Sequence, residues 1–203
     1  MNRGLVIAVA AAAELVSVPA RATGADAGVQ RDAGPSPVQC TSKEDCLEKA
    51  RALDKGARRV IAGGKVENAA KDYETAASYY ERACHLGAGS ACTRLGVLAS
   101  TGVFSAADEK RALALYEKGC GSGDAEGCDV AGNTYYQGRR NGVIARDYEK
   151  AAVFYEKGCA LGQGGSCHAL GNQYRSGKGV KRDKKRAKAL HKRAKELGFE
   201  IPD

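Results

Sequence analysis

The chain has 203 residues, 43% of them hydrophobic, with three phenylalanines, no tryptophan and 26 glycines. So few large apolar side chains exclude one thick core and suit thin layers packed through alanine, glycine and tyrosine, as in an array of small repeated units. The formal net charge is +8, and residues 178 to 196 alone hold ten Lys or Arg against Asp183 and Glu196, a net +8 again, so the basicity is local to the C-terminal end.

The N-terminus has the features of an export signal. Asn2 and Arg3 make a short basic start, residues 5 to 13 (LVIAVAAAA) are uninterrupted and apolar, and Ala20-Arg21-Ala22 offers the small-x-small pattern cut by signal peptidase. A signal over 1–22 places the mature chain in the periplasm or outside the cell. A mitochondrial presequence, leading to the intermembrane space, is the second reading, and the acidic Glu14 counts against it. The apolar run is too short to span a bilayer. Residues 23–39 (TGADAGVQRDAGPSPVQ) have almost no large apolar groups and read as a flexible linker.

From residue 40 to 198 the chain repeats itself. CLEKARALDKG from Cys46, CTRLGVLASTG from Cys92, CDVAGNTYYQG from Cys128 and CHALGNQYRSG from Cys167 align without gaps, at spacings of 46, 36 and 39 residues. Each is followed by a second register: AASYYERAC to Cys84, ALALYEKGC to Cys120, AAVFYEKGC to Cys159 and AKALHKRAK to Lys195. The period is that of a helix-turn-helix unit in a solenoid, with units at about 43–84, 90–120, 125–159 and 165–198. Apolar and small residues fall at three and four spacings within each register, as in Ala151, Ala152, Phe154 and Tyr155, which predicts amphipathic helices. Gly96, Gly132 and Gly171 sit mid-helix, where glycine costs about 1 kcal/mol against alanine, so a neighbouring element should approach closely there. Gly102, Gly138 and Gly177 are placed to end helices, and Asp108, Asp147 and Asp183 to start the next ones. In the first unit Ala50 replaces the mid-helix glycine, and about ten extra residues, including IAGGKVENAAK, should lengthen the connection.

The order Leu-Gly-x-x-Tyr-x-x-Gly-x-Gly-Val-x-x-Asp, carried almost throughout by Leu170 to Asp183, followed by Lys-Ala-x-x-x-Tyr-x-Lys, resembles the Sel1-like repeat, a TPR-like unit. With a cysteine pair at each junction, the chain is similar to the cysteine-rich Sel1 repeat proteins of secreted bacterial type over about residues 43 to 198. The resemblance implies an all-α, right-handed alpha-alpha solenoid of about four hairpins whose first helices line the inside.

In that register Cys84, Cys120 and Cys159 end one unit, and Cys92, Cys128 and Cys167 open the next. Four neighbour bonds are expected: Cys40 to Cys46, Cys84 to Cys92, Cys120 to Cys128 and Cys159 to Cys167. The missing cysteine at Lys195 agrees, since no fifth unit follows to receive a partner. Zinc ligand pairs sit two to four residues apart, and here no histidine partners the cysteines consistently, although His85 and His168 each follow one. A dithiol redox site would show Cys-x-x-Cys, which is absent from the sequence.

No Ser-x-x-Lys, His-Glu-x-x-His, Gly-x-Ser-x-Gly or phosphate-binding glycine loop appears in the sequence, so no catalytic residue, metal or cofactor is assigned. Beta-lactamase or penicillin-binding activity is a label attached to cysteine-rich Sel1 relatives, and the resemblance alone raises it. The reading favoured by the residues is a binding scaffold, expected as a monomer, that takes a protein or peptide on its concave face. Candidate contacts are Asn133, Asn172, Gln173 and Arg94, read as exposed first-helix positions whose amides and guanidinium can pair with peptide backbone. The alternative is that the asparagines satisfy a neighbouring unit. The basic C-terminal helix is a solvated cap with weak attraction to acidic surfaces; it lacks interleaved aromatics, and nucleic acid is not an expected partner.

Overall fold

A computed structural model describes residues 39–62, 66–102, 107–139 and 142–200. The expected signal over 1–22 and the linker over 23–39, apart from Gln39, lie outside the described residues. Eight helices are present among the described residues, and no strand: α1 (Lys43–Ala62), α2 (Val66–His85), α3 (Gly89–Thr101), α4 (Glu109–Gly121), α5 (Ala125–Gln137), α6 (Tyr148–Ala160), α7 (Gly164–Ser176) and α8 (Lys184–Glu196). They pack as hairpins α1/α2, α3/α4, α5/α6 and α7/α8, and each hairpin rests on the next through α2/α3, α4/α5 and α6/α7. The result is an α-α solenoid with its core divided among successive layers rather than gathered in one place. No described helix is long and apolar enough to cross a membrane.

The local rules read from the sequence hold in the helix ends. Asp108, Asp147 and Asp183 are N-caps whose carboxylates accept from the backbone N–H of Arg111, Lys150 and Arg186, each at 2.9 Å. Gly102 and Gly177 close α3 and α7 in the left-handed conformation, where a side chain would be strained.

The first hairpin differs from expectation. Its extra residues extend the helices, so that α1 and α2 have 20 residues each against 13 in all the others. Gly56, which aligns with the helix-ending glycines, lies inside α1. Ala57 to Ala62 continues without a proline or a turn signal, and the helix runs on to Ala62.

The mid-helix glycines receive a ring rather than a bare helix. A Cβ added to Gly96 would lie 2.7 Å from Tyr116 Cε1, one on Gly132 2.7 Å from Tyr155 Cδ1, and one on Gly171 2.5 Å from His191 Cδ2. Tyr116, Tyr155 and His191 hold the same position in the second helix of successive hairpins, and Tyr116 and Tyr155 are 3% and 2% exposed. Each of the last three hairpins therefore closes by seating one ring in the notch of a missing side chain, while the first has Ala50 at that place.

Candidate functional site

Covalent links sit at every junction. Cys84 is bonded to Cys92, Cys120 to Cys128 and Cys159 to Cys167, with Cα atoms 4.8, 4.5 and 4.6 Å apart, and Cys40 is bonded to Cys46 at the N-terminal end of α1. No cysteine is free. The inter-hairpin bonds tie the last turn of a second helix to the first turn of the next first helix, so each fixes the angle between adjacent hairpins. Four such bonds suit an oxidising compartment.

Arg94 lies on α3, and its guanidinium grips Asp54 of α1 with both nitrogens, Nε to Oδ2 at 2.7 Å and Nη2 to Oδ1 at 2.8 Å. Arg58 bonds the same carboxylate from the next turn of α1, and the Tyr80 hydroxyl donates to it from α2. Asp54 is 4% exposed; burial works to raise its carboxyl, and the Arg94 and Arg58 bonds outweigh that and hold it below the usual carboxylate range. Burial, with the Asp54 charge beside it, pushes the Tyr80 phenol up to about 12. Arg94 therefore joins the first hairpin to the second.

Asn133 is engaged in the same way one layer on. Its Nδ2 donates to Asp129 Oδ2 at 2.9 Å, its Oδ1 accepts from the Tyr155 hydroxyl at 2.8 Å, and Asp129 Oδ1 accepts from Ser166 of α7 at 2.6 Å. The chain of bonds runs from α6 through α5 to the following hairpin. Ser166 is fully buried, so this hydroxyl–carboxylate pair is structural. Thr134, next along α5, is 1% exposed and donates back to the Val130 carbonyl.

Gln173 requires a correction. It is 1% exposed rather than a surface amide, because α7 turns it toward α6, where its Nε2 donates to the Tyr148 carbonyl at 2.8 Å. Asn172 is half-buried, with Nδ2 against His168 Nε2 at 2.9 Å and Oδ1 lacking a hydrogen-bond partner. His168, Asn172 and His191 occupy the positions that Asp129, Asn133 and Tyr155 hold one hairpin earlier. The two imidazoles lie 5.1 Å apart, Phe199 covers His168 at 5.2 Å, and burial lowers both histidines below their ordinary value.

Arg94, Asn133 and Gln173 thus make bonds within the solenoid, and the structure brings none of the four candidates into one pocket. Sequence reasoning missed the carboxylates that organise them, Asp54 and Asp129. The available signal was the tyrosine recurring four residues before Cys84, Cys120 and Cys159, which needs a buried partner for its hydroxyl. Among the described residues no group of three or more His, Cys, Asp or Glu is placed to hold a metal.

A row of two-helix units, the last three seated by a ring in a glycine notch and successive units stapled by disulfides, defines a disulfide-bonded helical repeat protein. The Sel1 repeat model matches residues 63–87, 89–124, 127–163 and 165–199, and the chain belongs to the Sel1 repeat family. Its first match takes in only the second helix of the first hairpin, the unit whose sequence departs from the pattern. Among solved structures the chain is similar to a Sel1 repeat protein from Oxalobacter formigenes, with 22% identity, a TM-score of 0.54, and coverage of 78% of this chain and 72% of that one. It is also similar to the Helicobacter pylori cysteine rich protein B, with 29% identity, a TM-score of 0.51, and coverage of 64% and 90%. No curated protein sequence matches. Sel1 repeat proteins are commonly scaffolds for protein interaction.

Proposed function

We propose that this chain is exported to the periplasm or the cell exterior and acts there as a rigid scaffold that holds a protein or peptide on the concave face of its first helices. The observation that carries the reading is the staple at each junction, which keeps successive hairpins at a set angle and so preserves one extended surface. Neighbouring first helices, α3 with α5 and α5 with α7, lie in closer contact than neighbouring second helices, which supports placing them on the inner side of the curve. Lys55, Thr101, Gln137 and Ser176 follow Cys46, Cys92, Cys128 and Cys167 at one spacing and are all exposed, giving one open position per hairpin along that face.

The test is capture from an envelope extract by immobilised mature protein, in oxidised form and after reduction, with nitrocefin turnover followed on the same preparation. Capture by the oxidised form alone, without turnover, is expected. Turnover that survives purification and disappears on one side-chain substitution with helicity intact would overturn the scaffold reading.

A further inference from the structure

Cations at one register of the solenoid meet different company in successive hairpins. Arg139, directly after Gly138, reaches back to the first turn of α4 and pairs with Glu109 at 2.9 Å. Lys178, directly after Gly177, occupies the equivalent place one hairpin later, but the residue in the position of Glu109 is Tyr148. Lys178 Nζ lies 5.6 Å from the Tyr148 ring centre and 5.9 Å from that of Tyr136, and no described carboxylate is within ion-pair distance of it. Arg146 lies 5.8 Å from the Tyr148 ring centre and bonds its hydroxyl at 3.3 Å, Arg186 covers Tyr174 at 4.5 Å, and Arg182, exposed on the same loop as Lys178, donates to the Arg175 carbonyl at 3.1 Å.

The placement is built in. Gly179, with φ +69°, lies so close to the Tyr148 backbone that a Cβ there would overlap its carbonyl group, and Gln173 grips the same carbonyl from beneath. The loop carrying Lys178 is thereby pinned onto the start of α6.

We propose that this edge of the last two hairpins, where Arg146, Lys178 and Arg182 stand among Tyr136, Tyr148 and Tyr174, is a docking surface for an acidic polypeptide segment. The inference deepens the scaffold reading and rests on it. Unneutralised cations fixed at set positions attract carboxylates and fix their register, and the phenol rings supply rigid contact area between them. A lipid surface fits less well, because the groups this edge brings together are cations and phenols, and membrane attachment scales with apolar area inserted. Nucleic acid fits less well too, since the rings of Tyr136 and Tyr148 already meet edge to face, 5.0 Å apart, with Lys178 over both, instead of standing apart as a stacking platform.

The experiment measures anisotropy of a labelled oligoglutamate peptide with the disulfide-intact protein, alongside phosphatidylglycerol vesicles and a single-stranded oligonucleotide. The wild type should bind the peptide, more weakly as salt rises, and the triple variant R146Q/K178Q/R182Q should lose about tenfold or more in affinity with its melting temperature unchanged. R139Q, which removes a cation already paired with Glu109, should bind within about twofold of wild type. Gly179→Ala keeps every charge but displaces the loop, and should weaken binding as the triple variant does. The proposal is overturned if the triple variant binds as well as wild type, if R139Q loses as much, or if vesicles or oligonucleotide bind and the peptide does not. Loss of peptide binding on replacing Gln137 and Ser176 instead would move the site to the concave face and leave the scaffold reading standing.

Discussion

Replacing Asn133 by alanine separates a recognition residue from a structural one. Three consequences can be sized. The Tyr155 hydroxyl, on a side chain 2% exposed, loses its acceptor, and an unsatisfied buried donor costs about 1–3 kcal/mol. Asp129 loses one donor but keeps Ser166 and has access to water, so that loss is about 0.5–1 kcal/mol. Alanine is the better helix former by about 0.5 kcal/mol, which offsets part of this. The net expectation is about 1–3 kcal/mol of destabilisation. Urea unfolding of the oxidised protein measures it, with a lower midpoint and an unchanged slope if only stability moves. Adding Tyr155→Phe should recover part of the loss, because the phenylalanine brings no hydroxyl to leave stranded, and the pair should couple by more than about 0.5 kcal/mol. An Asn133→Ala change within about 0.5 kcal/mol of wild type, with no coupling to Tyr155, would refute the bond network and return Asn133 to the set of free surface positions.

Arg94→Ala should cost about 3–5 kcal/mol in the same assay, because Asp54 would remain buried with only Arg58 and Tyr80 beside it; loss within surface-mutation range would count against the ion pair as the joint between the first two hairpins. Replacing Cys120 and Cys128 together by serine opens a loop of 8 residues' separation and should lower stability by about 2.5 kcal/mol, read as a drop in melting temperature relative to the oxidised parent. Gly132→Ala should destabilise despite alanine's better helix propensity, since the new methyl meets the locked ring of Tyr155 at 2.7 Å; a stabilised variant would show that the ring moves freely. Acid should loosen the last hairpin first. His168 and His191 have lowered values in the folded chain, with Arg175 repelling both and each ring facing the other, so the unfolded chain binds more protons. The stability they contribute is present above the unfolded value of about 6.5 and is lost as pH falls from there through the folded values, a trend that His191→Tyr should blunt in hydrogen exchange of α8.

Much of the fold is written in short-range chemistry. Period, helix-starting aspartates and helix-ending glycines act within a few residues of themselves, so reading them needs no knowledge of what packs above. The first hairpin was misjudged for the same reason: Gly56 aligns with true helix ends, but no proline or second glycine follows until Gly63-Gly64, and an isolated glycine only weakens a helix. The candidate contacts were harder. Arg94 and Asp54 are 40 residues apart, and Ser166 and Asp129 37, so the acceptor that decides whether each donor is free lies on another hairpin. A polar side chain beside a packing glycine is ambiguous until that layer is known.

The end of the array shows how that ambiguity is resolved by position. In the third hairpin Tyr155 needs an acceptor, Asn133 supplies it, and Asp129 passes the bond on to Ser166 of the next hairpin. In the fourth the three places are taken by His191, Asn172 and His168, with Phe199 packed over His168. The imidazoles of His168 and His191 stand where the third hairpin has a carboxylate and a phenol. They leave His168 Nδ1, His191 Nε2 and Asn172 Oδ1 without hydrogen-bond partners instead. At these three positions the last hairpin relies on ring packing where the third has a chain of hydrogen bonds. The loop between α7 and α8 carries Lys178, so an acidic segment bound across Tyr148 and Lys178 would brace the last hairpin against α6. Ligand-dependent protection of α8 in hydrogen exchange, absent in the triple variant, is the expected sign of that coupling.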